Sequence, residues 1–292
     1  MEKAIKKYWP FFVIPTFGAF VIGFIIPFCQ GLYLSFCKFT TVGNAEWVGL
    51  DNYKWIFTQE VTGYAAPGAF KDAFWFTTKF AVVSIILINV LAFALALALT
   101  KGIKGTNIFR TVFFMPNLIG GVVLGYIWKT LINCVLNIVG EPLLDLNSTA
   151  GYWGLIILMC WQQVGYMMII YIAGLQSVPD SVMEASKIDG ANSWQTLIKI
   201  KLPMVMSSVT ICVFLTLTNS FKLFDQNMAL TNGKPFKNPT EMLALNIYNT
   251  FYARSGKVWM GRGQAKAVIF TIVVVVLALA QLSATRSKEV QQ

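Results

Sequence analysis

Apolar and polar positions fall into long blocks. Measured between successive charged residues, six charge-free windows stand out: 8–37, 80–100, 111–128, 146–179, 202–221 and 267–285. A helix needs about 20 apolar residues, range roughly 17–25, to cross the hydrocarbon of a bilayer. Each window therefore holds one span, and the longest is too short for two spans plus a turn. Only helices or closed barrels satisfy the backbone in lipid, and the windows lack the strict alternation of barrel strands. The pattern predicts an all-α, polytopic membrane protein of one domain over 1–292, with six transmembrane helices at about 11–36, 75–99, 110–131, 151–176, 204–222 and 266–285. The first window exceeds the usual signal-peptide core of roughly 7–15 apolar residues and has no A-x-A-like site after it, so it is read as a retained helix. Pro15, Pro27 and Pro116 lie inside windows, where neighbouring helices can re-satisfy a freed carbonyl.

The segment 178–203, between the fourth and fifth windows, carries dense local signals. Ser181 followed by Glu184 forms a capping box after Pro179 and predicts a helix from near Val182. Gly190 supplies the stop, because glycine accepts the left-handed conformation that ends helices. Asn192 with Gln195 caps a second short helix, which Pro203 limits. Neither piece is long enough to span. Val182, Ala185 and Ser186 share one face, and Trp194, Leu197 and Ile198 share another. Isolated helices this short are marginal in water, so the elbow is expected to dock, either on its own chain or on a partner.

Composition sharpens this picture. The chain has 292 residues, 56% apolar, 12% charged, with no histidine and a formal charge of +10. Without histidine there is no Ser-His-Asp or Cys-His nucleophile, no His-metal site and no imidazole proton shuttle. No catalytic or metal-binding residue is identified. The five cysteines have no C-x-x-C spacing and read as packing residues.

The run Glu184-Ala-Ser-Lys-Ile-Asp-Gly-Ala191, with Leu202-Pro203 downstream, resembles the cytoplasmic EAA loop of permease subunits of binding-protein-dependent ABC importers. The fuller pattern is similar to sugar importers of the maltose-permease type. It extends over Trp47-Val-Gly-Leu-Asp-Asn-Tyr53, Phe109-Arg-Thr-Val-Phe-Phe-Met-Pro116, Ala173-Gly-Leu-Gln-Ser-Val-Pro179, Phe221-Lys-Leu-Phe-Asp225 and Leu230-Thr-Asn-Gly233. Ser186, Leu197 and Lys234 depart from the family's usual residues. The resemblance implies that Glu184, Ala185, Asp189, Gly190, Ala191 and Pro203 form the coupling loop that seats in an ATPase subunit. It also implies a second, similar permease, two ATP-binding-cassette subunits, an extracellular solute-binding lipoprotein and a carbohydrate substrate, in a bacterial plasma membrane.

This chain has no Walker motif: Phe251 stands where the first glycine before Gly256-Lys257 would be. ATP and Mg2+ are therefore expected only on partner subunits, with no cofactor here. For the substrate path, Asn117, Trp161, Gln162, Gln163, Tyr166, Asn219 and Ser220 are polar or aromatic positions within apolar windows. Uncharged amides beside rings suit sugar hydroxyls and C–H faces, and they equally serve as interhelical glue. The family pattern adds Gly121 to that path. Lys222 and Asp225 are expected to form an i,i+3 ion pair, with a role at the mouth of the path as the other reading.

Placing the N-terminus in the cytoplasm puts eleven Lys and Arg inside and eleven outside, seven of the latter between Lys222 and Lys266. Those seven are a candidate surface for the binding protein or an acidic envelope. Without that one loop the tally is eleven to four, which favours cytoplasmic N- and C-termini. The rival reading is an ion-coupled secondary transporter for a small polar solute. Such carriers place an ionisable residue within the membrane, and all six windows are free of one. A basic nucleic-acid domain is absent.

Overall fold

A computed structural model describes residues 2–58, 69–234, 239–253 and 256–286. The chain divides into two compact units, one from residues 1–67 and 247–271, the other from 68–246 and 272–292.

In the first unit, α1 (Glu2–Phe20) passes through a π turn, Val21–Ile25, into α2 (Ile26–Leu34). Pro27 sits in the first turn of α2. A proline within a helix cannot donate to the carbonyl four residues back and crowds it, and the wider π turn relieves that conflict without breaking the span Val13–Leu34. Most side chains of this span, Phe17, Ile22 and Phe24 among them, face outward, as they must where lipid or another apolar surface is the solvent. Strand β1 (Cys37–Lys38) then pairs antiparallel with β2 (Glu46–Trp47), ahead of α3 (Asp51–Thr58). Buried Asn52 donates to the Ser35 carbonyl at 2.9 Å and the Cys37 carbonyl at 3.0 Å. Tyr53 meets Ser35 Oγ at 2.6 Å, so the Trp47–Tyr53 run is the clasp of this hairpin.

In the second unit, α4 (Phe70–Leu99), α5 (Thr106–Phe114), α6 (Gly121–Ile138) and α7 (Ser148–Gln176) precede the elbow helices α8 (Asp180–Ile188), α9 (Ser193–Thr196) and α10 (Leu202–Met204). After them come α11 (Met206–Phe221) and α12 (Asp225–Leu230); α13 (Leu243–Tyr252) and α14 (Lys257–Arg286) each run across the boundary between the units. Helix α7 is the hub: about two thirds of its most apolar stretch is buried (67%), against none for α14. On α4, Phe80, Ser84, Ile88, Ala92 and Ala96 recur every four residues and are fully buried or nearly so, which is the ridge expected of one helix face. Small residues let backbones close up. A Cβ on Gly165 of α7 would collide with the Phe113 carbonyl of α5, and one on Gly174 with Ser208 of α11. Polar glue joins the same helices: Tyr171 donates to Asn89 Oδ1 at 2.8 Å, and Asn89 donates to Thr216 at 3.3 Å.

Two windows differ from the sequence reading in form. The stretch read as one helix over 110–131 is two, because the chain tightens into a 3-10 turn at Met115–Leu118 around Pro116 before α6 begins at Gly121. The fifth window yields α11, bent by 71° from the stretch Ser193–Met204 at Val205. Pro203 does not end the preceding helix; a π turn at Leu197–Lys201 accommodates it, and the break comes two residues later. Among the described residues, five helices are long and apolar enough to cross a membrane, and a sixth if the bent pair counts as one.

Candidate functional site

The elbow is built by local signals. Helix α8 starts at Asp180, with Pro179 at its N-cap and no side-chain cap. The expected Ser181–Glu184 box is therefore not made. Pro179, whose fixed φ suits the entry, sets the start two residues earlier, and Glu184 is left exposed. At the other end Gly190 takes φ +72°. The Ala191 N–H donates to the Ser186 carbonyl at 3.0 Å and the Gly190 N–H to the Lys187 carbonyl at 3.1 Å, the paired bonds of a Schellman stop. Asn192 and Gln195 form a reciprocal capping box at 2.8 and 2.9 Å that opens α9. Of the first face Ser186 is buried, Val182 half-buried and Ala185 exposed; of the second Trp194 and Ile198 are exposed and Leu197 half-buried, so that Ile188 and Trp194 stand 85% and 70% exposed on either side of Gly190. Asp189 caps α8 in the open, Ala191 is half-buried, and half-buried Pro203 lies at the approach to the 71° bend.

The candidate path residues divide into three groups. Gln163 and Asn219 meet at 3.3 Å in the wall of a cavity of about 250 Å³, whose rim carries Lys222, Phe224, Asp225 and Gln226. Gln162, Ser220 and Gly121 act in packing. Gln162 is buried, donating to the Ile119 carbonyl at 3.2 Å and accepting from Gln226 at 2.8 Å. Buried Ser220 donates to the Thr216 carbonyl at 2.7 Å, and Gly121 abuts Asp225 and Gln226, where a Cβ would be 2.8 Å from the nearer side chain. Trp161, Tyr166 and Asn117 lie apart from that cavity. Trp161 packs edge-on to Trp128 and lines an apolar groove; half-buried Tyr166 faces Phe114, and Asn117 is half-buried in the turn between α5 and α6.

Lys222 and Asp225 do not form the expected ion pair. Helix α11 stops at Phe221 and α12 starts at Asp225, so no continuous helix brings i and i+3 together, and both side chains stand at the cavity rim instead. Gln226 is not legible in the sequence, because its contact with Gln162 depends on α12 folding back beside α7. Nor was Asn227, which is buried and holds the segment after α12 by donating to the Thr240 carbonyl at 2.7 Å and accepting from the Met242 N–H at 3.0 Å.

The basic cluster before the last span is also largely spoken for within the chain. Lys257 pairs with Glu46 at 2.7 Å and Lys234 approaches Asp145 at 3.8 Å. The Arg262 guanidinium lies 4.1 Å from the Trp55 ring and 4.8 Å from Trp259, and buried Lys266 donates to Thr250 at 2.9 Å. Lys237 and Arg254 of this cluster fall outside the described residues. Among the described residues no group of three or more Cys, Asp or Glu side chains is placed to hold a metal ion.

Comparison with known proteins places this architecture. Residues 88–286 match the family described as binding-protein-dependent transport system inner membrane component. The chain is 39% identical to the probable starch degradation products transport system permease protein AmyD of Thermoanaerobacterium thermosulfurigenes, covering 97% of this chain and 95% of that one. It is 32% identical to the multiple sugar-binding transport system permease protein MsmF of Streptococcus mutans, over 99% of each. Its fold resembles a chain in the solved structure of a bacterial alginate ABC transporter in complex with alginate pentasaccharide-bound periplasmic protein, with a TM-score of 0.79 at 19% identity, covering 98% of this chain and 97% of that one. The matched span takes in α5 to α12, both halves of the elbow and the cavity wall, and members of this family are permease subunits, not enzymes. A helical membrane chain with this elbow thus belongs to the inner membrane components of binding-protein-dependent ABC transport systems.

Proposed function

We propose that this permease carries a carbohydrate, a sugar or short oligosaccharide, into a bacterial cell as one half of a two-permease path. The observation that carries the reading is the cavity where Gln163, Asn219 and Gln226 offer uncharged donors and acceptors beside the ring of Phe224. Sugar hydroxyls need both kinds of partner, and sugar C–H faces favour an aromatic surface. The names of the two relatives, which speak of starch degradation products and multiple sugars, support the same class. In this reading an extracellular solute-binding lipoprotein delivers the sugar. Two ATPase subunits, each with ATP and Mg2+, take the elbows of this chain and its partner, and the N- and C-termini and the elbow are cytoplasmic.

The elbow is suited to that seat by its exposed Ile188 and Trp194 about a rigid Gly190 corner, with Glu184 and Asp189 free to meet basic groups. Closure of the ATPases would move it as a body and rock α7 and α11, reopening the cavity to the other side. The test is uptake of a labelled panel of mono- and oligosaccharides by cells with and without the gene for this chain. Loss of one sugar's uptake, restored by the gene, is expected; unchanged uptake of every carbohydrate alongside loss of a non-sugar solute would overturn it.

A further inference from the structure

Away from the polar cavity, α4, α5 and α7 enclose a second space of about 450 Å³, lined by Leu91, Val112, Met115, Cys160, Trp161 and Val164 among others. Its lining is almost wholly apolar and open to the surface, with Leu91, Val112 and Trp161 all exposed. An apolar groove in a membrane span takes either hydrocarbon or a protein helix, and what lies at its end distinguishes them.

Reckoned from the helix ends, the groove spans the deeper part of one leaflet and reaches the bilayer midplane. Leu91 is eight residues from the end of α4, about 12 Å along the axis, and Val164 is twelve from the end of α7, about 18 Å. The hydrocarbon of one leaflet is about 15 Å deep, half of roughly 30 Å. At the surface above it, α4 turns into α5 through Lys101-Gly-Ile-Lys104-Gly, with Gly102 and Gly105 both left-handed. Lys101 and Lys104 are exposed there, and Arg110 shares a face of α5 with the groove residue Phe113, three positions and about 4.5 Å of helix further on. The chain contains no acidic residue between Asp72 and Glu141, and none of these three bases forms an ion pair among the described residues. Arg110 Nε is buried yet has no hydrogen-bond partner among them. A buried N–H of a charged group without an acceptor is costly, so an acceptor is missing from the chain alone.

We propose that this corner is an anionic phospholipid site, with one acyl chain in the groove and the phosphate held by Lys101, Lys104 and Arg110. A charged head above an apolar slot has the polarity of an amphiphile, and basic side chains at a leaflet surface attract anionic headgroups. A helix of another subunit would fill the slot without using the bases.

The test uses the complete importer in phosphatidylcholine nanodiscs with a minor fraction of phosphatidylglycerol, followed by native mass spectrometry of retained lipid. Retained phosphatidylglycerol is expected on the wild type. Retention should fall about fivefold for each of Lys101→Gln, Lys104→Gln and Arg110→Gln. Filling the slot with Leu91→Trp or Val112→Trp, each checked for assembly with the partner subunits, should also lower it with every charge in place. Free glycerol 3-phosphate should not displace the lipid, because it lacks the chain that fills the groove. A photo-reactive residue at Trp161 should capture lipid. Retention unchanged by the glutamine variants, retention unchanged by both groove-filling variants, displacement by glycerol phosphate, or capture of another subunit at position 161 would each overturn the assignment.

Discussion

Asn219, near the end of α11, donates to the Gln163 side chain of α7 at 3.3 Å. That contact closes one wall of the polar cavity, so the two helices proposed to rock with the elbow are the ones whose amides line the proposed path. On the proposed function, a sugar hydroxyl entering there would exchange one amide contact for two and leave the wall hydrogen-bonded before and after.

Gln163→Ala removes one proposed partner for the substrate and leaves Asn219 to hydrate in the cavity. A hydrogen bond contributes about 0.5–1.5 kcal/mol net, so uptake at low sugar concentration should fall roughly threefold to tenfold with basal ATPase activity unchanged. Uptake equal to wild type would remove Gln163 from the path.

Gly165→Ala puts a methyl group against the Phe113 carbonyl, which is backbone and cannot swing aside. Overpacking costs typically about 1–3 kcal/mol, and here α5 must shift as a unit. A lower melting temperature of the purified complex is expected. Gly18→Ala, where a Cβ meets nothing within 4 Å, should leave the melting temperature near wild type; equal melting of all three proteins would refute the close approach.

The Glu46–Lys257 contact gives a pH signature. The hydrogen bond from Lys257 holds the Glu46 carboxyl below its ordinary value of 4.5. A carboxyl whose pKa is lowered by folding adds stability above its unfolded value, and that increment is lost as pH falls through the lower folded value. The melting temperature of wild type should drop more steeply on acidification below about pH 4.5 than that of Glu46→Gln. Since both side chains are exposed, high salt should shrink the difference. Parallel pH curves would show that the pair contributes nothing.

Gly190→Pro cannot adopt the observed φ of +72°, because proline fixes φ near −65°. The Schellman corner is then lost, and transport should be abolished with membrane insertion intact. Gly190→Ala, which meets no neighbour within 4 Å, carries only the left-handed strain of about 1–2 kcal/mol and should retain part of the uptake. Full uptake by the proline variant would disconnect the elbow from coupling.

Most short-range features are legible in the sequence because their partners lie a few residues away, the Ser181–Glu184 box excepted, since Pro179 starts that helix earlier. Gly190 as a stop, and Asn192 with Gln195 as a cap, need only local geometry. The Lys222–Asp225 assignment failed because i,i+3 spacing implies contact only within one helix, and the chain breaks between them. Hydropathy likewise joined α5 to α6, since a 3-10 turn at Met115–Leu118 leaves the apolar run uninterrupted. Asn52, Asn227 and Gln226 look like ordinary loop residues in the sequence; only tertiary folding brings their acceptors within reach. The basic excess before the last span was visible as a number, but its cause, pairing with Glu46 and stacking on Trp55, is a product of the fold. Family membership sets aside the ion-coupled carrier that charge-free windows alone only disfavoured.

The central claim is that this chain is the passive path of an ATP-driven sugar importer. It is tested by proteoliposomes containing this permease with its second permease and ATPases, supplied outside with the binding protein and labelled oligosaccharide. Accumulation that requires both ATP and the binding protein is predicted; equal uptake without ATP, or by this chain alone, would contradict it.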